Sequence, residues 1–367
     1  MNPRRRQIRE TIRITGAIAR KDIVDAVKNK TTAIIVAATF MLILSSKALP
    51  LLLDLRGVLQ VVAYDAGEAE FLTQPDEDDD VVLYRVSSIA DLEDTISESR
   101  GNVIGIAIPA DFDDTISQNG STEVEGYVAH WVNSEDKVEM RTILEAKLTH
   151  AVGKPVSINT QGNEIVPRPD SGGQPFMLAL VLLVAVTLIT VMVVPQLMIE
   201  EKETRTLDAL FLSPASVNEV VAGKALAGIV FALIGAGVVL VFNALMIQNW
   251  ALTLVALLCG ALFAVAVGLL LGIVIEDQQS LNLVLGFVFV FLIFPAFLAN
   301  AMGPNWPEWL RIIFPWIPTV ALSNVLRISF SDTLETGQII GGLAIVLVSA
   351  AALYAIASWR MSQLERE

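Results

Sequence analysis

Long apolar runs separated by short polar stretches dominate the sequence. These runs lie at about residues 33–53, 176–199, 225–247, 251–275, 281–301 and 338–358. An α-helix needs about 20 apolar residues to cross the hydrocarbon core of a bilayer, and each run is close to or above that length. The pattern therefore predicts six transmembrane helices, with the first span inside residues 31–53 and spans three to six inside residues 225–367.

The first 30 residues combine basic and apolar positions at helical spacing. They carry nine lysines and arginines, and five apolar residues recur at roughly the helical period: Ile8, Ile12, Ala19, Ile23 and Val27. The pattern predicts an amphipathic helix at residues 1–30 that lies on the cytoplasmic face of the membrane. A plain cluster of charges beside the membrane would give the same orientation.

Residues 54–175 interrupt the apolar pattern and are too polar to lie in a bilayer. Period-two and short apolar patterns predict five strands, at residues 58–64, 81–86, 102–108, 123–132 and 156–159. Between them, three stretches have helical patterns, at residues 89–99, 110–118 and 135–151. The alternation predicts an α/β extracytoplasmic domain between spans one and two.

The negative charge of the protein belongs to this insert. The chain has a net charge of −14, and residues 54–175 hold 24 acidic and 8 basic residues, a net charge of −16. Such a balance argues against nucleic acid or anionic lipid as the partner of the insert. Two roles stay open for the acidic surface, since it would either hold cations or keep the domain soluble.

The stretch before the last run is apolar but broken. Residues 302–337 contain Pro315 and Pro318, with Arg311 and Arg327 on either side of the breaks. Broken helices are tolerated at membrane depth where protein surrounds them, so we predict a re-entrant segment rather than a seventh span. Six spans place both termini on the same side of the cell membrane, and the basic N-terminal segment identifies that side as the cytoplasm.

Small residues recur at every fourth position of the fourth run, where they predict a close helix–helix contact. They are Ala256, Gly260, Ala264, Gly268 and Gly272.

The loop between runs two and three, residues 200–224, is patterned rather than passive. Its start is charged, and Leu207, Leu210 and Phe211 then fall on one face of a short helix. Ser213-Pro214 ends that helix, and Ser216 with Glu219 has the spacing of a capping box. The apolar face contacts lipid headgroups, the protein's own helices or another protein.

This loop resembles the signature of ABC-2-type export permeases. The matching residues are Glu201, Thr206, Leu207, Asp208, Leu210, Ser213, Pro214, Gly223 and Lys224. The strand-to-helix turn from Ile106 to Phe112 is similar to one common in these permeases. The large insert is typical of the subgroup that exports sodium or drugs.

The resemblance implies a permease subunit that exports sodium ions, drug-like or amphipathic compounds beside a second copy, as a homodimer or heterodimer. A separate ATPase subunit would bind ATP and Mg²⁺, and residues 200–224, the coupling segment, would pass its motion to the spans. Two sets of residues are predicted to contact the ATPase: Leu207, Leu210 and Phe211 by apolar contact, and Glu201, Glu203 and Arg205 by polar contact.

The sequence offers little chemistry of its own. Neither Gly153-Lys154 nor Gly223-Lys224 belongs to a phosphate-binding P-loop, so we expect no ATP hydrolysis by this chain. Ser134 and Lys137 match an acylating-serine spacing that is frequent by chance, and no metal or cofactor site is predicted. Two alternatives remain: a membrane-anchored receptor or scaffold that binds a ligand through the insert, and an ion-coupled carrier.

Overall fold

The computed structural model describes residues 3–28, 59–67, 81–99, 103–204, 216–301 and 306–364, with residues 30, 34, 37 and 41. The predicted first span at residues 31–53 falls almost entirely outside this part of the chain, as does the middle of the coupling segment.

Helices and strands follow one another along the chain in three blocks. An N-terminal helix comes first, then a region of mixed helices and strands, then long helices. The helices are α1 (Pro3–Lys28), α2 (Ile89–Ser97), α3 (Phe112–Asn119), α4 (Ser134–Val152), α5 (Gly173–Glu203), α6 (Val217–Phe242), α7 (Trp250–Val274), α8 (Gln278–Ala301), α9 (Glu308–Ile313), α10 (Pro318–Phe330) and α11 (Thr336–Leu364). The strands are β1 (Leu59–Asp65), β2 (Val81–Val86), β3 (Val103–Ile108), β4 (Thr122–Ala129), β5 (Val156–Asn159) and β6 (Glu164–Ile165).

The strands form one mixed sheet with the order β2-β1-β3-β4-β5. β1 is parallel to both β2 and β3, whereas β4 runs antiparallel to β3. β5 and β6 lie along the outer edge of β4, beside its first and second halves. The predicted α/β region between the N-terminal helix and the later long helices is confirmed, with β6 as an additional strand.

Helices cover both faces of this sheet. Leu92 and Ile96 of α2 are fully buried on one face, and Phe112 of α3 and Leu144 of α4 are buried on the other. Side-chain caps start two of these helices: Ser88 Oγ accepts a hydrogen bond from the first turn of α2, and Asn133 Oδ1 accepts one from the first turn of α4. The domain therefore has its own core on each side of the sheet.

Within the described residues, five helices are long and apolar enough to cross a membrane: α5, α6, α7, α8 and α11. α7 packs against both α5 and α11, and α5 also packs against α6. The central helices α5 and α7 bury 67% and 61% of their most apolar windows, but α8 and α11 bury only 17% each. The apolar side chains of α8 and α11 thus face outward, where a bilayer or another chain would cover them.

α9 and α10 form a sharply bent pair. The axis of residues 308–316 makes an angle of 81° with that of Pro318–Phe330. The bend lies at the prolines that the sequence singled out. Pro318 begins α10, and a proline is favoured in the first turn of a helix. The pair has the composition of a sixth crossing if counted as one broken span.

The apolar residues of the N-terminal helix that the sequence pattern singled out are partly buried against the protein and partly exposed. Ile12 and Val27 are each 67% exposed, whereas Ile18, Ala19 and Ala26 are buried against neighbouring helices. The side chain of Ile8 lies outside the described residues. Ala19 and Ile23 of the predicted stripe are among the residues that pack on the protein, and α1 carries apolar residues on more than one side. Its buried face packs mainly on α6 and also touches α5.

Candidate functional site

The residues predicted to contact an ATPase lie at and beyond the end of α5. Glu201 and Glu203 belong to its last turn, where Glu203 is exposed and Glu201 is buried. The other four lie outside the described residues and stay predictions: Arg205, Leu207, Leu210 and Phe211. The coupling segment is therefore described at its two ends, residues 200–204 and 216–224.

Four charged side chains, which we call the inner network, meet at these ends: Lys21, Asp22, Glu201 and Lys224. Lys224 Nζ lies 2.5 Å from Glu201 Oε2 and 3.3 Å from Asp22 Oδ2. Lys21 Nζ lies 2.7 Å from the other Glu201 oxygen. Lys224 and Asp22 are each only 2% exposed, so the Lys224 ammonium is compensated by the Asp22 and Glu201 carboxylates rather than by water.

The two α1 members of the inner network have shifted pKa values. Burial raises the pKa of Asp22, and the nearby Lys224 ammonium opposes that shift. Burial acts to lower the pKa of Lys21, but the hydrogen bond and charge of Glu201 outweigh it, so that the pKa is raised. The lysine therefore remains positively charged beside Glu201.

Local sequence explains how Lys224 reaches this position. The predicted capping box is confirmed, because Ser216 caps the first turn of α6 and its own backbone N–H donates to Glu219 Oε2 at 2.9 Å. Gly223 and Lys224 therefore lie within the second turn of a helix rather than in a loop. A Cβ on Gly223 would lie 2.6 Å from Ile18 Cγ2, so glycine permits the close approach of α1.

Lys202, in the last turn of α5, was given no role from the sequence. Lys202 Nζ donates hydrogen bonds to the carbonyl oxygens of Ile273 (2.8 Å) and Ile275 (2.9 Å) at the end of α7. The last carbonyls of a helix lack partners inside the helix, and an ammonium group there satisfies them. Lys202 thus joins the end of α5 to the end of α7. The signal in the sequence was one lysine among glutamates just after an apolar run.

The small residues predicted to allow helix packing are all buried in α7. A Cβ on Gly260 would lie 2.5 Å from Leu322 Cδ2 of α10, and one on Gly268 would lie 3.0 Å from Val194 Cβ of α5. One on Gly272 would lie 3.0 Å from the Pro195 Cα. These glycines face α10 at one end and α5 at the other. Ala256 and Ala264 lie in the core formed with these helices.

At the other end of α5, a compact junction joins the α/β domain to the long helices. We call it the outer junction: Ser97, Ser171, Gly173 and Arg327. Arg327 Nη2 donates to the Ser171 carbonyl oxygen at 2.7 Å, and Ser171 Oγ lies 3.3 Å from Ser97 Oγ. Gly173 has φ +55°, and a Cβ there would overlap the Glu98 carbonyl oxygen. The end of α2, the start of α5 and α10 are therefore held together.

The described residues contain no group of three or more His, Cys, Asp or Glu side chains arranged to hold a metal ion. Lys137, from the serine–lysine spacing, pairs with Glu164 Oε1 at 2.7 Å. At both ends of α5 the described contacts are hydrogen bonds and ion pairs that join this helix to its neighbours.

Comparison with known families gives one match over most of the chain. The model of a family described as "ABC-2 family transporter protein" matches residues 29–359. Nothing among curated proteins matches the sequence, and no solved structure matches it. The match includes the domain, the coupling segment, four of the long apolar helices and α11 up to residue 359.

Proposed function

This chain belongs to the ABC-2 transporter family and is a membrane permease component, and on that premise we propose that it couples ATP hydrolysis by a separate ATPase subunit to export. The family match over residues 29–359 is the observation that carries the proposal. The coupling residues, the cargo and the direction of transport are the parts that go beyond this membership.

The end of α5 and the start of α6 support a coupling role for the segment between them. Glu203 is exposed on the last turn of α5, where an approaching ATPase would meet it. Glu201 is turned inward to Lys21 and Lys224, so its part would be to hold the segment in place rather than to touch the ATPase. We keep Leu207, Leu210 and Phe211 as the apolar contact and Arg205 as a polar one.

The exposed apolar faces of α8 and α11 support a transporter embedded in the bilayer beside a second permease copy. Phe287 and Phe291 of α8 are 72% and 77% exposed, and such surface is not left in water by a soluble protein. The proposal places both termini in the cytoplasm and the α/β domain outside the cell membrane. In it, α9 and α10 form a re-entrant segment. The cargo is a sodium ion or a drug-like or amphipathic compound, as in the subgroup that the chain resembles.

A pull-down from the native membrane tests the proposal. We expect a protein with a P-loop to co-purify with the wild-type chain, and to be lost from the Leu210→Asp/Phe211→Asp variant. The matched control is Val138→Asp/Ile143→Asp, which makes the same chemical change at two exposed apolar residues of α4 in the domain. The control should retain the ATPase.

Two outcomes would count against the proposal, and they differ in what they remove. If the Leu210→Asp/Phe211→Asp variant captures the ATPase as well as the wild type does, the residue assignment is wrong but the permease function stands. If an intact wild-type preparation captures no ATPase, the coupling function fails. The receptor alternative then gains weight, and ligand binding by the α/β domain would be measured next.

A further inference from the structure

The inner network ties together three parts of the chain that are distant in sequence. Asp22 and Lys224 are separated by 202 positions, and Lys21 and Glu201 by 180. An ammonium group that is 2% exposed is tolerated only while its carboxylate partners stay within a few ångströms. The position of Lys224 is therefore linked to that of α1 through Asp22, and to that of the end of α5 through Glu201.

The packing around Lys224 leaves little room for α1 to shift by itself. A Cβ on Gly223 would lie 3.2 Å from the carbonyl oxygen of Thr15 as well as close to Ile18. On the neighbouring turns, Ala19 and Ala26 are 3% and 0% exposed. Gly223 permits the backbones of α1 and α6 to approach closely, and Ala26 packs against α5 as well as α6. Close-packed surfaces move together more readily than they slide.

Stability alone does not account for the choice of ionic residues here. Replacing a buried ion pair by well-packed apolar residues is often neutral or stabilising, so such a pair is better explained by the arrangement that it specifies. In the inner network each charge has partners on another element. Lys224 contacts α1 through Asp22 and α5 through Glu201, and Glu201 also contacts α1 directly through Lys21. A shift of any one element would leave a buried charge unpaired.

We propose that Lys224 is a positioning residue that makes α1 part of the coupling unit, so that α1 and the cytoplasmic end of α5 move as one body. The coupling role of α1 rests on the proposed function, but the joint movement of the two helices does not. A force applied at the end of α5 would reach α1 by a buried route through Lys224 and Asp22 and by a half-exposed route through Lys21, both starting at Glu201. The helix at the membrane surface would then move with the segment that receives the force.

Distance measurement between two spin labels tests the joint movement. The labels are placed at Val24→Cys on α1 and Thr204→Cys just after α5, in a Cys259→Ser background that removes the one native cysteine. In the wild-type network we expect one narrow distance distribution. With Lys224→Met the distribution should widen by at least about twofold, because the buried link through Asp22 is lost and only the half-exposed Lys21–Glu201 pair still joins α1 to the end of α5. Lys28→Met, which replaces an exposed lysine of α1, is the control and should leave the distribution narrow.

In the complex with its co-purified ATPase, the Val24–Thr204 distance should stay constant when ATP and vanadate are added. Over the same step, we expect the distance from Val24 to a label at Val138→Cys in the α/β domain to change. If the Val24–Thr204 distance changes with ATP in the wild-type network, α1 and α5 do not move as one body and the proposal is wrong. An unchanged narrow distribution in Lys224→Met would also overturn it.

If Lys224→Met does not fold, Asp22→Asn replaces it, since this variant removes only the α1 carboxylate and leaves Lys224 paired with Glu201. It should widen the same distribution, and a narrow one would contradict the proposal. If no ATPase co-purifies with the wild type, the proposed function fails, but the label distances in the chain alone still decide whether Lys224 holds α1.

Discussion

The two ends of α5 are fixed to their surroundings by different means. At the outer junction, the contacts are backbone hydrogen bonds, a glycine with φ +55° and one arginine that donates to a carbonyl oxygen. At the inner network, the contacts are between ammonium and carboxylate groups, and two of the four side chains are almost fully buried. Shape fixes the outer end, whereas charge fixes the inner end.

This difference has a consequence for how the helix can transmit movement. Backbone contacts at the outer junction cannot exchange partners without moving the chain, so the α/β domain and the start of α5 should behave as a rigid unit. Ion pairs at the inner network depend on each partner being in place, and the loss of one charge leaves the others uncompensated. The inner end is thus the more sensitive to single substitutions.

The largest effect is expected from Lys224→Met at the inner network. The variant leaves Asp22 buried without its cation, and breaking a buried pair in this way costs about 3–5 kcal/mol in the free energy of unfolding. Denaturant or thermal unfolding of the purified chain in detergent measures it, and Lys28→Met is the surface control. Adding Asp22→Asn removes the unpaired carboxylate as well. The double variant should therefore be less destabilised than the sum of the singles, and strict additivity would show that the two residues do not interact.

At the outer junction, Gly173→Ala should cost about 2–3 kcal/mol. An alanine there adopts an unfavourable positive φ, and its Cβ meets a backbone oxygen that cannot rotate away. Gly172→Ala is a matched control one residue earlier, because Gly172 has φ −75° and a Cβ there would have no atom within 4 Å. The same unfolding measurement compares them. Equal stability of the two variants would mean that shape does not fix the outer end.

Between the two ends, Gly272→Ala in α7 probes the contact with α5. Its Cβ would lie 2.9 Å from Met198 Cβ and 3.0 Å from the Pro195 Cα, so we expect a cost of about 1–2 kcal/mol. Gly286→Ala in α8 has open space around the new methyl group and should instead stabilise by about 0.5–1 kcal/mol through helix propensity. A lower melting temperature for Gly272→Ala and a higher one for Gly286→Ala would support close packing by the small residues of α7. A stable Gly272→Ala would remove that interpretation.

The sequence predicted what depends on local patterns. Hydropathy identified the long helices, and period-two patterns identified β2 and β5 at their observed bounds. It did not predict contacts between distant positions, such as Arg327 with Ser171, 156 residues apart. Lys224 was assigned to a loop because a charge at the edge of an apolar run has the same pattern whether it faces water or a buried carboxylate. The positive φ of Gly173 has no signature in composition or period.

The smallest effect should come from Lys21→Gln, which tests whether all arms of the inner network matter equally. The Lys21 side chain is 48% exposed, so water screens its pair with Glu201, and exposed pairs contribute only about 0.2–1 kcal/mol. Lys224 still compensates Glu201 in this variant, and the loss should therefore stay near that of the exposed control Arg20→Gln in thermal unfolding. If Lys21→Gln is as destabilising as Lys224→Met, the four charges act as a single unit. The two ends of α5 would then still differ in how they are fixed, but the buried and exposed members of the inner network would not differ in their contribution to stability.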